Sequence, residues 1–202
     1  MESEQLFKRF VPTEAVSYCA KLLDYFGFEF QIKNSRQTKL GDYRYQPNLK
    51  KHTITINNDL NKYSFLVTYL HEVAHLVTYK DHGRKAAPHG AEWKLNFQKV
   101  AQPVLNEKVY PPEVLMALRN YFKNPKAASC SDPVLYKVLK QFDGATDKIT
   151  LSKIAIGQEF NFNGKVYKKL EKKRTRSVCS ELSSNRRYLI SEVAAVKPLN
   201  SE

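Results

Sequence analysis

The sequence contains few cysteines and no apolar run of membrane-spanning length. Its 202 residues include only Cys19, Cys130 and Cys179, which are too few and too widely spaced for a disulfide framework. No stretch approaches the roughly 18 to 20 apolar residues that cross a bilayer. Residues 1–5 are acidic and polar, unlike a secretory signal peptide. These absences predict a protein of a reducing compartment, the cytoplasm, without a membrane partner.

Acidic residues are also scarce relative to basic ones. The chain has 33 lysines and arginines against 20 aspartates and glutamates, which gives a net charge of +13. Hydrophobic residues make up 42% and aromatic residues 12%, so the composition is that of a globular protein rather than a disordered one. A basic surface of this size favours polyanionic partners, of which nucleic acid is the commonest.

The apolar pattern divides the chain into a mixed N-terminal part and a β-rich C-terminal part. Helical periodicity predicts helices at residues 12–26, 62–80, 91–100 and 111–121. Alternation predicts strands at residues 28–32, 42–46 and 52–57. Further on, Asn163-Gly164 and 183–185 predict the turns of two hairpins. Because residues 123–133 lack periodicity and carry prolines, we predict an α+β domain over residues 1–124 and a small all-β domain over residues 125–202.

A metal-binding motif lies inside the predicted helix 62–80. The segment His71-Glu72-Val73-Ala74-His75 has the form H-E-x-x-H. Residues four apart share one face of a helix, so both imidazoles can bind a single metal ion. Glu72 directly follows the first histidine, where its carboxylate can reach a metal-bound water. The motif therefore predicts a catalytic zinc site rather than a buried helix with two satisfied histidines.

A catalytic zinc site usually has three protein ligands, and the sequence offers three candidates for the third. The metzincin spacing is excluded because Thr78 and Asp81 occupy the positions of its glycine and histidine. His89 leaves enough chain for the helix to end and the backbone to return, so we favour it. His82 follows the helix so closely that the chain would have to fold back sharply. Glu92 would give the carboxylate ligand of a thermolysin-like site.

The segment His89-Gly90-Ala91-Glu92-Trp93, at this distance from H-E-V-A-H, resembles the SprT-like zinc metallopeptidases, the family of the DNA–protein-crosslink protease Spartan. The resemblance covers residues 10–122 and includes Thr38–Gly41 and the strand 52–57, which lie where that family has its small sheet. It implies a minigluzincin-like α+β fold, with helices packed on a small antiparallel sheet. It also implies that His71, His75 and His89 bind one Zn²⁺, that Glu72 is the general base, and that Glu92 supports the site without binding the metal.

The resemblance implies a zinc-dependent endopeptidase in which Glu72 activates the zinc-bound water, acting on protein substrates that include DNA-associated proteins. The oxyanion of the reaction needs a further donor, for which Tyr43, Tyr79 and His82 are candidates. One alternative is a nucleic-acid-binding protein with a structural or vestigial zinc site, although such a site needs no base beside its ligands. Another is a zinc hydrolase that acts on a non-peptide amide.

The C-terminal domain departs from the family pattern. Many SprT-like proteins carry a zinc ribbon with two C-x-x-C pairs, whereas this domain has only Cys130 and Cys179. We therefore predict a metal-free domain, either a ribbon without its metal or a small barrel, with a hydrophobic core in its place. The apolar residues predicted to form this core are Ile154, Ile156, Phe160, Phe162, Val166, Leu170, Val178, Leu189 and Val193.

The same domain contains the densest basic segment of the chain. Nine basic residues lie between Lys165 and Arg187, against only Glu171 and Glu181. Tyr167 and Tyr188 are interleaved with them, and tyrosine rings can stack on bases. The segment predicts salt-sensitive binding to the phosphate backbone of DNA or RNA. The predicted contact residues are Lys168, Lys169, Lys172, Lys173, Arg174, Arg176, Arg186 and Arg187.

Overall fold

The computed structural model describes residues 2–36, 38–126, 132–144, 149–192 and 194–199. The chain divides into two units, Met1–Gly144 and Ala145–Glu202. Within the described residues, the first unit combines six α-helices with three strands, and the second is built of six strands. The predicted α+β class is therefore confirmed. None of the described helices combines the length and the apolar character needed to cross a membrane.

The first unit contains every helix and strand that periodicity predicted for it. Its helices are α1 (Glu2–Phe7), α2 (Val16–Phe26), α3 (Lys62–His82), α4 (Ala91–Ala101), α5 (Pro112–Tyr121) and α6 (Pro133–Lys140). Its strands are β1 (Glu29–Lys33), β2 (Gly41–Gln46) and β3 (Lys51–Asn57). The short helices α1 and α6 were not predicted, because neither is long enough to show a repeating apolar face.

The small sheet is mixed, not antiparallel as the resemblance implied. The central strand β3 pairs in parallel with β1, where Glu29 lies opposite Thr53, and antiparallel with β2, where Gly41 lies opposite Ile56. Since β1 and β2 are consecutive and flank the same strand through a short connection, they must run in opposite directions. One of them is therefore parallel to β3. Among the described residues, β2 pairs only with β3 and is an edge strand.

Helix α3 begins at a strong N-cap and is buried along most of its length. The Asn61 side chain accepts hydrogen bonds from the backbone N–H groups of Tyr63 and Ser64. Its amide nitrogen also donates to the Leu139 carbonyl oxygen at 3.0 Å, which ties α6 to the start of α3. Leu135 of α6 is completely buried in the same core. Helix α6 thus lies beyond the boundary predicted at residue 124 but packs with the first unit.

The second unit is a six-stranded antiparallel sheet. Its strands are β4 (Ile149–Thr150), β5 (Glu159–Phe162), β6 (Lys165–Lys172), β7 (Arg176–Glu181), β8 (Arg187–Ser191) and β9 (Ala195–Pro198), in the order β4-β9-β5-β6-β7-β8. Both predicted hairpins are present. Asn163 and Gly164, which connect β5 to β6, have φ angles of 53° and 79°, as a type I′ turn requires.

The core of the second unit lies on the opposite face of several strands from the predicted one. It consists of Leu151, Ile154, Phe160, Tyr167, Cys179, Ile190 and Val196. Of the predicted core residues, Ile154 and Phe160 belong to it and Phe162 packs against it, whereas Ile156 and Leu189 are 63% and 57% exposed. Val166, Leu170 and Val178 are half-buried, and Val193 lies outside the described residues. Because side chains alternate along a strand, burying Tyr167 and Cys179 turns their neighbours Val166 and Val178 outward.

Candidate metal centre

Three histidine side chains converge beside α3. His71 and His75 lie one turn apart on α3, and His89 precedes α4. Their Nε2 atoms are 3.2 Å apart between His71 and His75, 2.9 Å between His75 and His89, and 3.3 Å between His89 and His71. Two nitrogens bound to a tetrahedral zinc ion at about 2.0–2.1 Å lie about 3.3–3.4 Å apart, so the triangle has nearly the size of a zinc site. Among the described residues, this is the one group of three potential ligands.

The electrostatics of the three rings also fit a metal ion. Burial, and then the neighbouring His75 and His89, lower the pKa of His71 to about 3. Burial and His89 lower the pKa of His75 to about 4, and burial lowers the pKa of His89. The rings are therefore neutral at pH 7. If two of the facing Nε2 atoms carried protons, those protons would point at each other. The three nitrogens can instead all direct lone pairs at one shared cation, which satisfies them best.

A strained turn presents His89 to the other two histidines. Its backbone φ is +59°, in the left-handed region, which costs a residue with a β-carbon about 1–2 kcal/mol. The Gly90 N–H donates to the Ala87 carbonyl oxygen at 2.9 Å and closes the turn just before α4. Such strain persists where the surrounding structure determines the conformation, and functional sites are common examples. The other two candidate ligands, His82 and Glu92, are exposed and lie outside the cluster.

Trp93 packs against all three histidines. It is completely buried, and its ring centroid lies 4.7 Å from those of His71 and His89 and 5.3 Å from that of His75. Phe97, one turn further along α4, lies 5.5 Å from His71. No role was assigned to Trp93 from the sequence, although it ends the H-G-A-E-W segment. Trp93 lies four residues after His89, in the first turn of α4. This spacing is the sequence signal that could have linked Trp93 to the site.

The Glu72 side chain lies against the first residues of strand β2. It is 7% exposed, and the backbone N–H of Tyr43 donates to its carboxylate. A β-carbon at Gly41 would lie only 2.6 Å from Glu72 Oε1 and 2.7 Å from Thr68 Cγ2, far below van der Waals contact. Gly41 is therefore the residue that leaves room for Glu72. The sequence analysis included Gly41 in the segment 38–41 that resembles the family. Its role is visible only in the structure, where β2 approaches α3.

The charge state of Glu72 depends on its surroundings. Burial, and then the negative charge of Asp42, raise its pKa to about 8. The Tyr43 N–H and the cations Arg36 and Lys39 act in the opposite direction. A cation held by the histidines would favour the ionised carboxylate further, since opposite charge stabilises it. The group is thus placed to exchange a proton near neutral pH.

An aromatic cluster formed by Tyr43, Tyr45, His52 and Tyr79 borders the site. The Tyr43 ring lies parallel to that of His75, with 6.5 Å between centroids and 5° between planes. Its hydroxyl is 2.8 Å from His52 Nδ1, and the Tyr45 and Tyr79 centroids are 4.6 Å apart. Of the three candidate oxyanion donors, Tyr43 therefore stacks with His75, one of the three converging histidines. Tyr79 lies in the aromatic cluster, and His82 is exposed.

The sequence profile of the SprT-like family matches residues 7–113, a range that includes the three histidines and Glu72. The chain belongs to the SprT-like family. No match was found among curated proteins or among solved structures. The SprT-like match ends at the start of α5, so the six-stranded unit lies outside it.

The basic segment of the second unit includes one residue that contradicts its predicted role. Lys169 is 2% exposed, and its Nζ donates to the carbonyl oxygens of Leu151 and Ile154 at 2.9 and 3.1 Å. It also lies 3.1 Å from the carboxylate of Glu192. Lys169 therefore cannot reach a phosphate, contrary to the prediction. Alternation places Lys169 on the same face of β6 as the buried Tyr167, and the prediction failed because lysine is rarely buried.

Other basic residues are exposed on the sheet. Lys168, Ser180 and Arg187 lie opposite one another across β6, β7 and β8, and alternation places Arg176 on the same face. Arg174 and Arg186 are exposed next to the strand ends. The remaining two predicted residues lie near glutamates, with Lys173 Nζ 2.6 Å from Glu171 and Lys172 Nζ 4.0 Å from Glu192. Of the two tyrosines, Tyr167 is buried and Tyr188 is 38% exposed.

Proposed function

We propose that the first unit is a zinc-dependent endopeptidase. The observation that carries this proposal is the triangle of neutral histidine nitrogens, two of them on the helix α3 that also holds the buried Glu72. Membership of the SprT-like family supports the same chemistry. A purely structural zinc site requires no acid beside its ligands, so the placement of Glu72 favours an enzyme over a nucleic-acid-binding protein with a structural zinc.

His71, His75 and His89 would hold the zinc ion, and Glu72 would move the protons. Zinc, when bound, polarises a scissile carbonyl and makes water acidic enough to react near pH 7. Glu72 accepts a proton from the attacking water and returns it to the leaving amine. The Tyr43 N–H and the close approach of Gly41 keep its carboxylate in place. The open edge of β2 offers main-chain hydrogen bonds to an extended peptide.

Removal of the metal tests this function. We expect the zinc-loaded protein to cleave a disordered, lysine-rich protein, the metal-free protein to leave it intact, and added zinc to restore cleavage. Fragments are followed by electrophoresis and mass spectrometry. A substrate that is an amide but not a peptide provides the comparison for the alternative hydrolase. Cleavage that continues unchanged in protein shown to contain no metal would contradict the proposal.

We also propose that the second unit binds nucleic acid and brings the enzyme to DNA-associated proteins. The net charge of +13 and the exposed cations on one face of the sheet support this proposal. A linked binding module raises the local concentration of the protease near its substrate without a tight peptide site. The revised contact residues are Lys168, Arg174, Arg176, Arg186 and Arg187.

The salt dependence of DNA affinity tests this surface. Replacing Lys168, Arg176 and Arg187 by glutamine should weaken binding to duplex DNA. It should also reduce the slope of log affinity against log salt by about 2.7, because each phosphate contact contributes about 0.9. The control replaces the exposed Lys21, Lys33 and Lys62 of the first unit, which removes the same charge. Equal losses in both variants would reject this face as the binding surface.

We also propose a reducing, cytoplasmic location, which the state of the cysteines supports. Cys19 and Cys179 are both buried free thiols, and Cys130 lies outside the described residues. Burial raises the pKa of both thiols, so neither is activated for disulfide exchange.

A further inference from the structure

The connection between β1 and β2 forms an arch over the end of β3. Lys33, the last residue of β1, lies opposite Asn57, and Gly41, the first residue of β2, lies opposite Ile56. Residues 34–40, which we call the arch, therefore start and finish at the same end of β3. Gln37 is outside the described residues. Asn57, the last residue of β3, lies beneath the arch, and the arch leads directly into the glycine that touches Glu72.

Asn57 uses its side chain and its backbone to hold the arch. Its side chain is 1% exposed, and its Oδ1 accepts a hydrogen bond from Arg36 Nε at 2.7 Å. Its Nδ2 donates to the carbonyl oxygens of Arg36 and Lys39 at 3.2 and 2.9 Å. Its backbone N–H donates to the Leu40 carbonyl oxygen at 2.9 Å. One residue thus fixes the chain immediately before Gly41.

On the side of the arch that faces a cavity, hydrogen bonds rather than close packing hold the chain. A cavity of about 280 Å³ lies there, lined by Arg36, Leu40 and Asn57 of the arch region and by residues of α3 and α6. The empty space leaves the arch free to move toward the cavity if its hydrogen bonds are removed. The Arg36 guanidinium adds a further attachment, since it donates to Thr55 Oγ1 at 2.9 Å.

We propose that Asn57 is a positioning residue for Glu72. By fixing Arg36, Lys39 and Leu40, it holds Gly41 and the Tyr43 N–H against the Glu72 carboxylate. Gly41 packs tightly against Glu72, since a β-carbon there would lie 2.6 Å from Glu72 Oε1. A displacement of about 1 Å in a catalytic group can lower a rate by about 100-fold. This inference rests on the proposed peptidase function, in which Glu72 moves the protons.

Asn57→Ala is the direct test, and Asn58→Ala is its matched control. Asn58 is the neighbouring asparagine, but it is exposed, and the one side-chain hydrogen bond found for it among the described residues is a long one, to Asn34 at 3.4 Å. We expect kcat of Asn57→Ala to fall about 10- to 100-fold with KM unchanged and zinc retained, and Asn58→Ala to match the wild type. Wild-type kcat in fully zinc-loaded Asn57→Ala protein would overturn the proposal.

A double variant separates positioning of Glu72 from a general loss of structure. Gly41→Ala pushes directly on the carboxylate, so its effect and that of Asn57→Ala should combine to less than their product. A loss equal to the product would show that Asn57 acts by another route. If Asn57→Ala does not fold, Asn57→Asp keeps the acceptor for Arg36 Nε and loses the donor to the carbonyl oxygens of Arg36 and Lys39. We expect it to show the same fall in kcat, and a wild-type kcat would again overturn the proposal.

Hydrogen exchange gives a readout that does not depend on activity. Amides of residues 38–43 should exchange faster in Asn57→Ala than in the wild type or in Asn58→Ala, because the arch loses its attachment. If the wild-type protein cleaves no peptide, the proposed function fails, while exchange still tests the arch. Unchanged exchange in Asn57→Ala would overturn the positioning role in either case.

Discussion

Replacing Glu72 by glutamine is expected to lower kcat/KM for peptide hydrolysis by about 10²- to 10⁴-fold, the range of a general base, while zinc stays bound. Glutamine has nearly the same shape as glutamate, so it fits the space beside Gly41 and still accepts the Tyr43 N–H. Its amide cannot take a proton from water at neutral pH. The three histidines are untouched. Catalysis should therefore fail although the metal and the fold remain.

The measurement compares purified wild-type and Glu72→Gln proteins at equal zinc content on one peptide substrate. Glu29→Gln provides the control, because Glu29 is a carboxylate of the same unit that pairs with Lys51 at 3.1 Å on the small sheet. It should keep wild-type activity. A Glu72→Gln protein that cleaves at the wild-type rate would show that another group moves the proton.

Replacing His89 by alanine is expected to weaken zinc binding by more than about 100-fold. Loss of a residue that only supports a metal ligand costs about 10- to 100-fold in affinity, and His89 is itself one of three converging nitrogens. The two remaining histidines are both on α3 and leave one side of the triangle open. Proteolysis should disappear together with the metal.

The single tryptophan of the chain reports on this experiment directly. Trp93 lies 4.7 Å from the rings of His71 and His89, so paramagnetic Co²⁺ bound at the histidines should quench its fluorescence. Quenching at micromolar Co²⁺ is expected for the wild type and for His82→Ala, which alters an exposed histidine, but not for His89→Ala. Loss of quenching in His82→Ala alone would assign the third ligand to His82.

Local patterns in the sequence were sufficient for the three strands and the four longer helices of the first unit and for the candidate ligands. The apolar repeat of α3 and the spacing of His71 and His75 are properties of one helix. His89 could be chosen from the number of residues that separate it from the H-E-V-A-H segment, which is enough for the helix to end and the chain to return. The structure brings these three side chains together, with nitrogens within 3.3 Å of one another.

Features that depend on contacts between distant segments were not predictable. Gly41 matters because β2 approaches α3 at Glu72, and Asn57 matters because the arch crosses the end of β3. In the second unit, apolar residues occur on both faces of β6 and β7, so alternation alone did not select the buried face. Lys169 was assigned to the surface because lysine is rarely buried, yet Glu192 and two carbonyl oxygens compensate its charge in the core.

The content of metal in protein prepared without chelator tests the three-histidine site most directly. Elemental analysis of the wild type should give one zinc ion per chain, and the His71→Ala, His75→Ala and His89→Ala variants should each give much less. Folded wild-type protein that binds no zinc, even when zinc is supplied, would contradict a metal centre at these histidines and the peptidase function proposed from it.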